Sequence, residues 1–114
     1  MNEKLRERYR ARAEVLKALA HPTRLLFVEE LRSGERCVGE LQELAGADMS
    51  TVSKHLSVLR NCGIVGDEKR GARVYYFLRT PCVLNFFSCV EAVLEGKASP
   101  AEPVRCASCG EGDS

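Results

Sequence analysis

No stretch of this sequence is long and apolar enough to cross a bilayer, and Met1 to Arg12 is crowded with charges where an export signal would need an apolar core. Neither a membrane span nor a secretion leader is expected, and the chain reads as cytoplasmic. Histidine is scarce, with two residues, and no glycine-rich loop of the phosphate-cradling kind occurs. These shortages leave no obvious catalytic constellation, so a binding protein is expected rather than an enzyme. A surplus of one charge is also missing, since 17 basic residues stand against 16 acidic for a formal net charge of +1. Taken alone, that total disfavours a nucleic-acid partner.

The distribution reverses the impression. Residues 1–49 hold nine basic and nine acidic residues, 50–80 hold six against two, and 81–114 hold two against five. The middle is therefore +4 and the end −3. A local basic face is what phosphate neutralisation needs, and it tolerates a neutral whole. With 114 residues, 45% of them hydrophobic, the chain suits one compact domain with a real core. Its six cysteines, lacking an export signal, read as thiols kept reduced for metal or redox chemistry.

The organising stretch is Ala45 to Gly63. Gly46 suits the left-handed end of one helix, and Asp48 can cap the next, which should begin near Met49. Val52, Leu56 and Leu59 then form one apolar stripe, with Gly63 at the position of a left-handed cap. The remaining positions, Ser50, Thr51, Ser53, Lys54, His55, Ser57 and Arg60, supply short hydroxyls, a histidine and cations, a set suited to phosphates and base edges in a major groove. An ordinary solvated surface would look the same in an isolated helix.

What surrounds the helix separates the two. Glu3 to Ala20 reads as an amphipathic helix; His21 and Pro22 break it and start a second one running to Ser33 and Gly34, with His21 as a junction residue. Cys37 to Ala45 supplies the first helix of a helix-turn-helix. Ile64 to Glu68 and Ala72 to Leu78 read as strands around a polar turn of Lys69, Arg70 and Gly71, with Val74, Tyr76 and Leu78 alternating against Tyr75 and Phe77. A basic hairpin directly after a candidate recognition helix is a wing, with Lys69, Arg70 and Arg73 as its phosphate-binding cations. Pro81 to Glu95 is a last helix with apolar groups on two faces, wider than one small core needs. It implies a dimer interface, with the first helix as a second contributor and recognition helices about 34 Å apart. The fold class is thus mainly α with a β-hairpin wing, a dimeric winged helix-turn-helix of about five helices and two strands. Residues 1–95 form the DNA-binding and dimerisation domain, and 96–114 a flexible tail.

The motifs LKALAHPTRLLFVEEL, CVGEL, STVSKHLSVLRNCGIV and KRGARVYYFL together resemble the ArsR/SmtB family of winged-helix repressors over about residues 13 to 95. The resemblance implies a homodimer on double-stranded operator DNA that is released when an inducer, often a soft metal or metalloid, binds. It does not imply which inducer. The family's arsenic pattern has a second thiol where this chain has Gly39, two positions after Cys37. Its zinc positions fall on Thr80, Cys82, Val93 and Gly96. Its cadmium and lead positions fall on Val58, Cys62 and the tail, so only Cys62 and Cys106 or Cys109 match.

Cys82 and Cys89 share a face of the last helix but stand about 10.5 Å apart along its axis, too far for one ion. If the last helices of two subunits pack antiparallel, Cys82 of one approaches Cys89 of the other, giving thiol sites at the interface; otherwise both are small buried hydrophobes. Cys37 and Cys62 stand between core packing and weaker donor roles, as do Cys106 and Cys109 between half a chelate and a disulfide. Thiolates without histidine or carboxylate neighbours select soft ions, with trivalent arsenic the first choice and antimony, cadmium or monovalent copper also fitting; none is required for DNA binding. Oxidation or persulfidation of the same thiols is the alternative sensing chemistry. A thiol-disulfide enzyme built on Cys106 and Cys109 and a constitutive architectural DNA binder are the rivals.

Overall fold

A computed structural model of the chain describes residues 1–96, so the expected tail, with Cys106 and Cys109, lies outside the described residues. Helix α1 (Glu3–Leu19) is opened by Asn2, whose side chain accepts the Leu5 N–H at 2.8 Å. His21 then caps α2 (Pro22–Glu30) by accepting the Thr23 N–H on Nδ1, with Pro22 where its missing N–H is harmless. The histidine–proline pair is therefore a helix break and restart, as its chemistry predicts. Helix α2 is shorter than the periodicity suggests. Its continuation, Leu31–Ser33, tightens into a 3₁₀ turn before Gly34.

Strand β1 (Arg36–Cys37) leads into α3 (Val38–Ala45), where the Glu40 carboxylate accepts the Cys37 N–H at 2.9 Å and anchors the first turn. Next come α4 (Met49–Asn61), β2 (Val65–Arg70) and β3 (Arg73–Leu78). The sheet is antiparallel in the order β1-β3-β2, with Arg36 opposite Tyr76 and Cys37 opposite Tyr75. Sequence reading placed two strands here and Cys37 in a helix. The third strand escaped because two residues are too few for an alternating pattern to register.

The hairpin is also tighter than expected. Lys69 and Arg70 continue β2, and the connection is only Gly71 and Ala72, with Arg70 directly opposite Arg73. Gly71 has φ 62°, the positive value that a two-residue hairpin requires at its first central position.

Residues 1–79 form one unit. Its core draws on every helix and on β2: Leu19, Phe27, Leu31, Leu41, Val52, Leu56, Leu59 and Val65 are buried. Each such side chain contributes about 1.5–3 kcal/mol when fully withdrawn from water. The second unit begins at Thr80 and contains α5 (Val83–Leu94). Within it Phe87 is buried beside the tilted ring of Phe86, while Phe86, Val90, Val93 and Leu94 are exposed. Among the described residues no helix is long and apolar enough to cross a membrane.

Candidate nucleic-acid interface

The geometry of α4 begins in the turn before it. Gly46 takes φ 65° and donates its N–H to the Gln42 carbonyl, while the Gln42 amide donates to the Ala47 carbonyl at 3.3 Å. Asp48, in extended backbone, then accepts the Thr51 N–H at 2.8 Å and the Ser50 hydroxyl at 3.2 Å. These bonds hold the Asp48 carboxyl below the usual carboxylate range, with the nearby Lys54 charge assisting. The cap satisfies amides that the first turn of α4 would otherwise leave unpaired.

Val52, Leu56 and Leu59 are wholly buried, and the rest of the helix is thereby oriented. Ser50, Thr51, Ser53, Lys54 and Arg60 are exposed, with Ser57 half-buried among them. These hydroxyls and cations of the predicted face are therefore open to solvent, on residues of α4 other than the buried stripe. His55 stands apart from it. Its ring packs against His21 at 4.2 Å between centroids, and its Nδ1 lies 3.1 Å from the Arg24 guanidinium. Partial burial, His21 and Arg24 together lower its pKa, disfavouring the protonated ring. Arg24 is a residue that sequence reasoning gave no role. It also donates to the carbonyls of Ala18 and Lys17, so it ties α1, α2 and α4 together.

The cations of α4 and the wing divide into two groups. Arg60 pairs with Asp67 of β2 at 3.1 Å. Arg70 forms a two-pronged bond to Glu35, at 2.6 and 2.9 Å, and a third bond to Glu68 at 3.0 Å. Its guanidinium also lies over the Tyr75 ring, 4.8 Å from the centroid. The pairing lowers the Glu35 pKa and raises that of Arg70. Lys54, Lys69 and Arg73 are exposed and enter no ion pair among the described residues. The carboxylates of Glu35 and Asp67 were missed because no local pattern marks a partner brought in by the sheet.

The thiols are more dispersed. Cys37 sits at the start of α3, Cys62 at the end of α4, Cys82 at the start of α5 and Cys89 within α5; all are half-buried and none forms a disulfide among the described residues. A Cβ at Gly39 would lie 4.0 Å from the Cys37 sulfur, so a second thiol in the position of the arsenic pattern would be a neighbour, and this chain places none there. Among the described residues no three His, Cys, Asp or Glu side chains cluster as a metal site. A site of three or more such donors would therefore need donors beyond the described residues.

A model described as bacterial regulatory protein, arsR family, matches residues 21–66, from the α2 cap into the wing. The HTH-type transcriptional repressor SmtB of Mycobacterium tuberculosis is 41% identical over 73 residues, 64% of this chain and 54% of that protein, so only about half of that relative is spanned. The uncharacterized HTH-type transcriptional regulator Rv0081 of the same species is 34% identical over 87 residues, covering 75% of this chain and 76% of that protein. Its crystal structure superposes with a TM-score of 0.71 at 33% identity, over 83% of this chain and 93% of that one. The solution structure of Mb0332 from Mycobacterium bovis, described as a homodimeric winged helix-turn-helix DNA-binding domain, gives 0.71 at 29% identity, over 83% and 88%. With the capped recognition helix and the paired hairpin behind it, the chain belongs to the ArsR/SmtB family of winged helix-turn-helix regulators.

Proposed function

We propose that this protein is a homodimeric transcriptional repressor that binds double-stranded operator DNA in the cytoplasm and leaves it when a soft ion, trivalent arsenic first among them, binds cysteine thiolates. The observation that carries the DNA reading is the exposure of Ser50, Thr51, Ser53, Lys54 and Arg60 on α4 together with that of the cations Lys69, Arg70 and Arg73 in the hairpin that follows it in the chain. In this reading α4 enters the major groove, where hydroxyls reach base edges, and the hairpin cations take flanking phosphates. Family relatives that bear the word repressor in their names support the direction of regulation.

Pairing of two copies is supported by α5, where Phe86 is 46%, Val93 65% and Leu94 75% exposed, an apolar surface that water disfavours. The homodimeric description of Mb0332 agrees with it. Cys82 and Cys89 are the leading inducer thiols because both lie on that helix, with about 10.5 Å of axial rise between them. One ion therefore uses Cys82 of one copy with Cys89 of the other. Cys37, Cys62 and the pair Cys106 and Cys109 are the reserve donors. Induction works if the ion favours the dimer state that binds DNA poorly.

The test is fluorescence anisotropy of the reduced protein on a duplex taken from upstream of its own coding sequence, titrated with arsenite and separately with a persulfide donor. Release by arsenite, abolished in a Cys82→Ser, Cys89→Ser double variant that still binds DNA, is the expected result. Release by the persulfide donor alone assigns redox sensing instead, and retention of the arsenite response in the double variant moves the site to the reserve thiols. A protein insensitive to both is a constitutive binder or responds to another ion.

A further inference from the structure

Resting on that DNA-binding reading, we infer that Glu35 is an internal competitor for DNA phosphate: it occupies the Arg70 guanidinium in the DNA-free protein and is displaced when the wing meets the duplex. The two carboxylate oxygens of Glu35 accept from the two terminal nitrogens of Arg70, at 2.6 and 2.9 Å. This is the fork geometry with which a guanidinium also grips a phosphate, so the two anions require the same donors and exclude each other. Glu68 takes a further bond on one of those nitrogens, and the Tyr75 ring lies beneath the guanidinium plane. Arg70 is thus held ready in shape while its charge is cancelled.

The position of the pair is as telling as its geometry. Glu35 immediately precedes β1, Arg70 ends β2, and β3 runs between those two strands, so the bond spans the sheet. Arg70 stands one residue before the hairpin glycine and opposite Arg73, at the end of the wing that must approach the duplex. Arg70 with Glu35 and Glu68 carries a net charge of −1, which offsets the neighbouring Lys69 and Arg73. All three side chains are about half exposed, at 45%, 40% and 56%. A pair so wet is weakly held and screened by salt, so a phosphate can take it apart.

A purely structural role makes the opposite prediction. If Glu35 only relieves repulsion between Arg70 and Arg73, its removal loosens the hairpin and brings no gain on DNA. The experiment measures binding of the full chain to the labelled upstream duplex across roughly 50 to 200 mM salt, for the unaltered protein, Glu35→Gln, Glu68→Gln and Glu35→Gln with Arg70→Ala. Glu35→Gln should tighten binding several-fold at low salt and steepen the salt slope by up to about one, because Arg70 then meets phosphate with no carboxylate to displace and none left uncompensated beside the duplex. Glu68→Gln should move both quantities the same way by less, and adding Arg70→Ala should remove the whole gain. Equal or weaker binding by Glu35→Gln overturns the competition, as does a gain that survives Arg70→Ala. If the unaltered protein fails to bind the duplex at the lowest salt, DNA binding itself falls; binding that Glu35→Gln leaves unchanged sinks only the competitor role.

Discussion

Arg24 on α2 and His55 on α4, 31 positions apart, meet with the guanidinium 3.1 Å from the imidazole Nδ1. Arginine can only donate, so Nδ1 accepts and the neutral ring keeps its proton on Nε2. Burial disfavours the charged ring, and protonation would also set a cation beside His21 and Arg24, so the folded pKa falls below its ordinary 6.5. In acid the unfolded chain takes the proton before the folded one does. Stability contributed by the neutral ring is therefore present at neutral pH and is lost as pH falls below about 6.5 toward the lowered value. Thermal melts over that range should show the unaltered protein losing stability, with a smaller loss for His55→Gln. Parallel curves for the two proteins would remove His55 as the cause.

Lys54 should contribute directly to phosphate attraction, since it is exposed on α4 and enters no ion pair among the described residues. Lys54→Ala should weaken DNA binding at every salt concentration and reduce the slope of log affinity against log salt by about 0.9. Arg60, bound to Asp67, should give a smaller change on the same substitution. An unchanged slope for Lys54→Ala takes that residue out of the phosphate set.

Leu56 is wholly buried in the middle of α4. Leu56→Ala should cost about 2–5 kcal/mol, a large share of the stability of a domain this size. Urea denaturation checks it. A loss below about 1 kcal/mol would mean that the helix does not depend on this stripe for its seat.

Gly66 of β2 lies under the ring of Phe77, its partner across the hairpin: a Cβ there would come within 2.6 Å of the ring. Gly66→Ala should destabilise the fold by about 1–3 kcal/mol through this overlap. Combined with Phe77→Ala it should cost much less than the two changes summed, because the obstructing ring is gone. Additive losses in a double-mutant cycle would place the penalty elsewhere.

Reading of the chain was most complete where the cause of structure is local. The His21 and Pro22 junction, the Asp48 cap, the left-handed Gly46 and Gly63, and the stripe of Val52, Leu56 and Leu59 all act within one or two turns of helix. It was least complete at β1 and the wing tip. Arg36 and Cys37 make a strand only because β3 lies beside them, and Lys69 and Arg70 extend β2 because two turn residues suffice. Among the functional candidates, Ser50, Thr51, Ser53 and Lys54 are exposed, whereas His55 is half-buried against Arg24 and His21.

Residue types and their spacing were enough to determine a winged helix-turn-helix, its recognition helix and the cationic character of its middle third, because periodicity, caps and turn glycines depend on near neighbours. Only the tertiary structure decided which of those cations are already engaged. Arg70 is cancelled by Glu35, 35 positions away, and Arg60 by Asp67, while Lys69 and Arg73 enter no ion pair among the described residues. The physical reason is that an ion pair depends on distance in space, and the sheet that brings Glu35 to Arg70 leaves no mark on the residues next to either one.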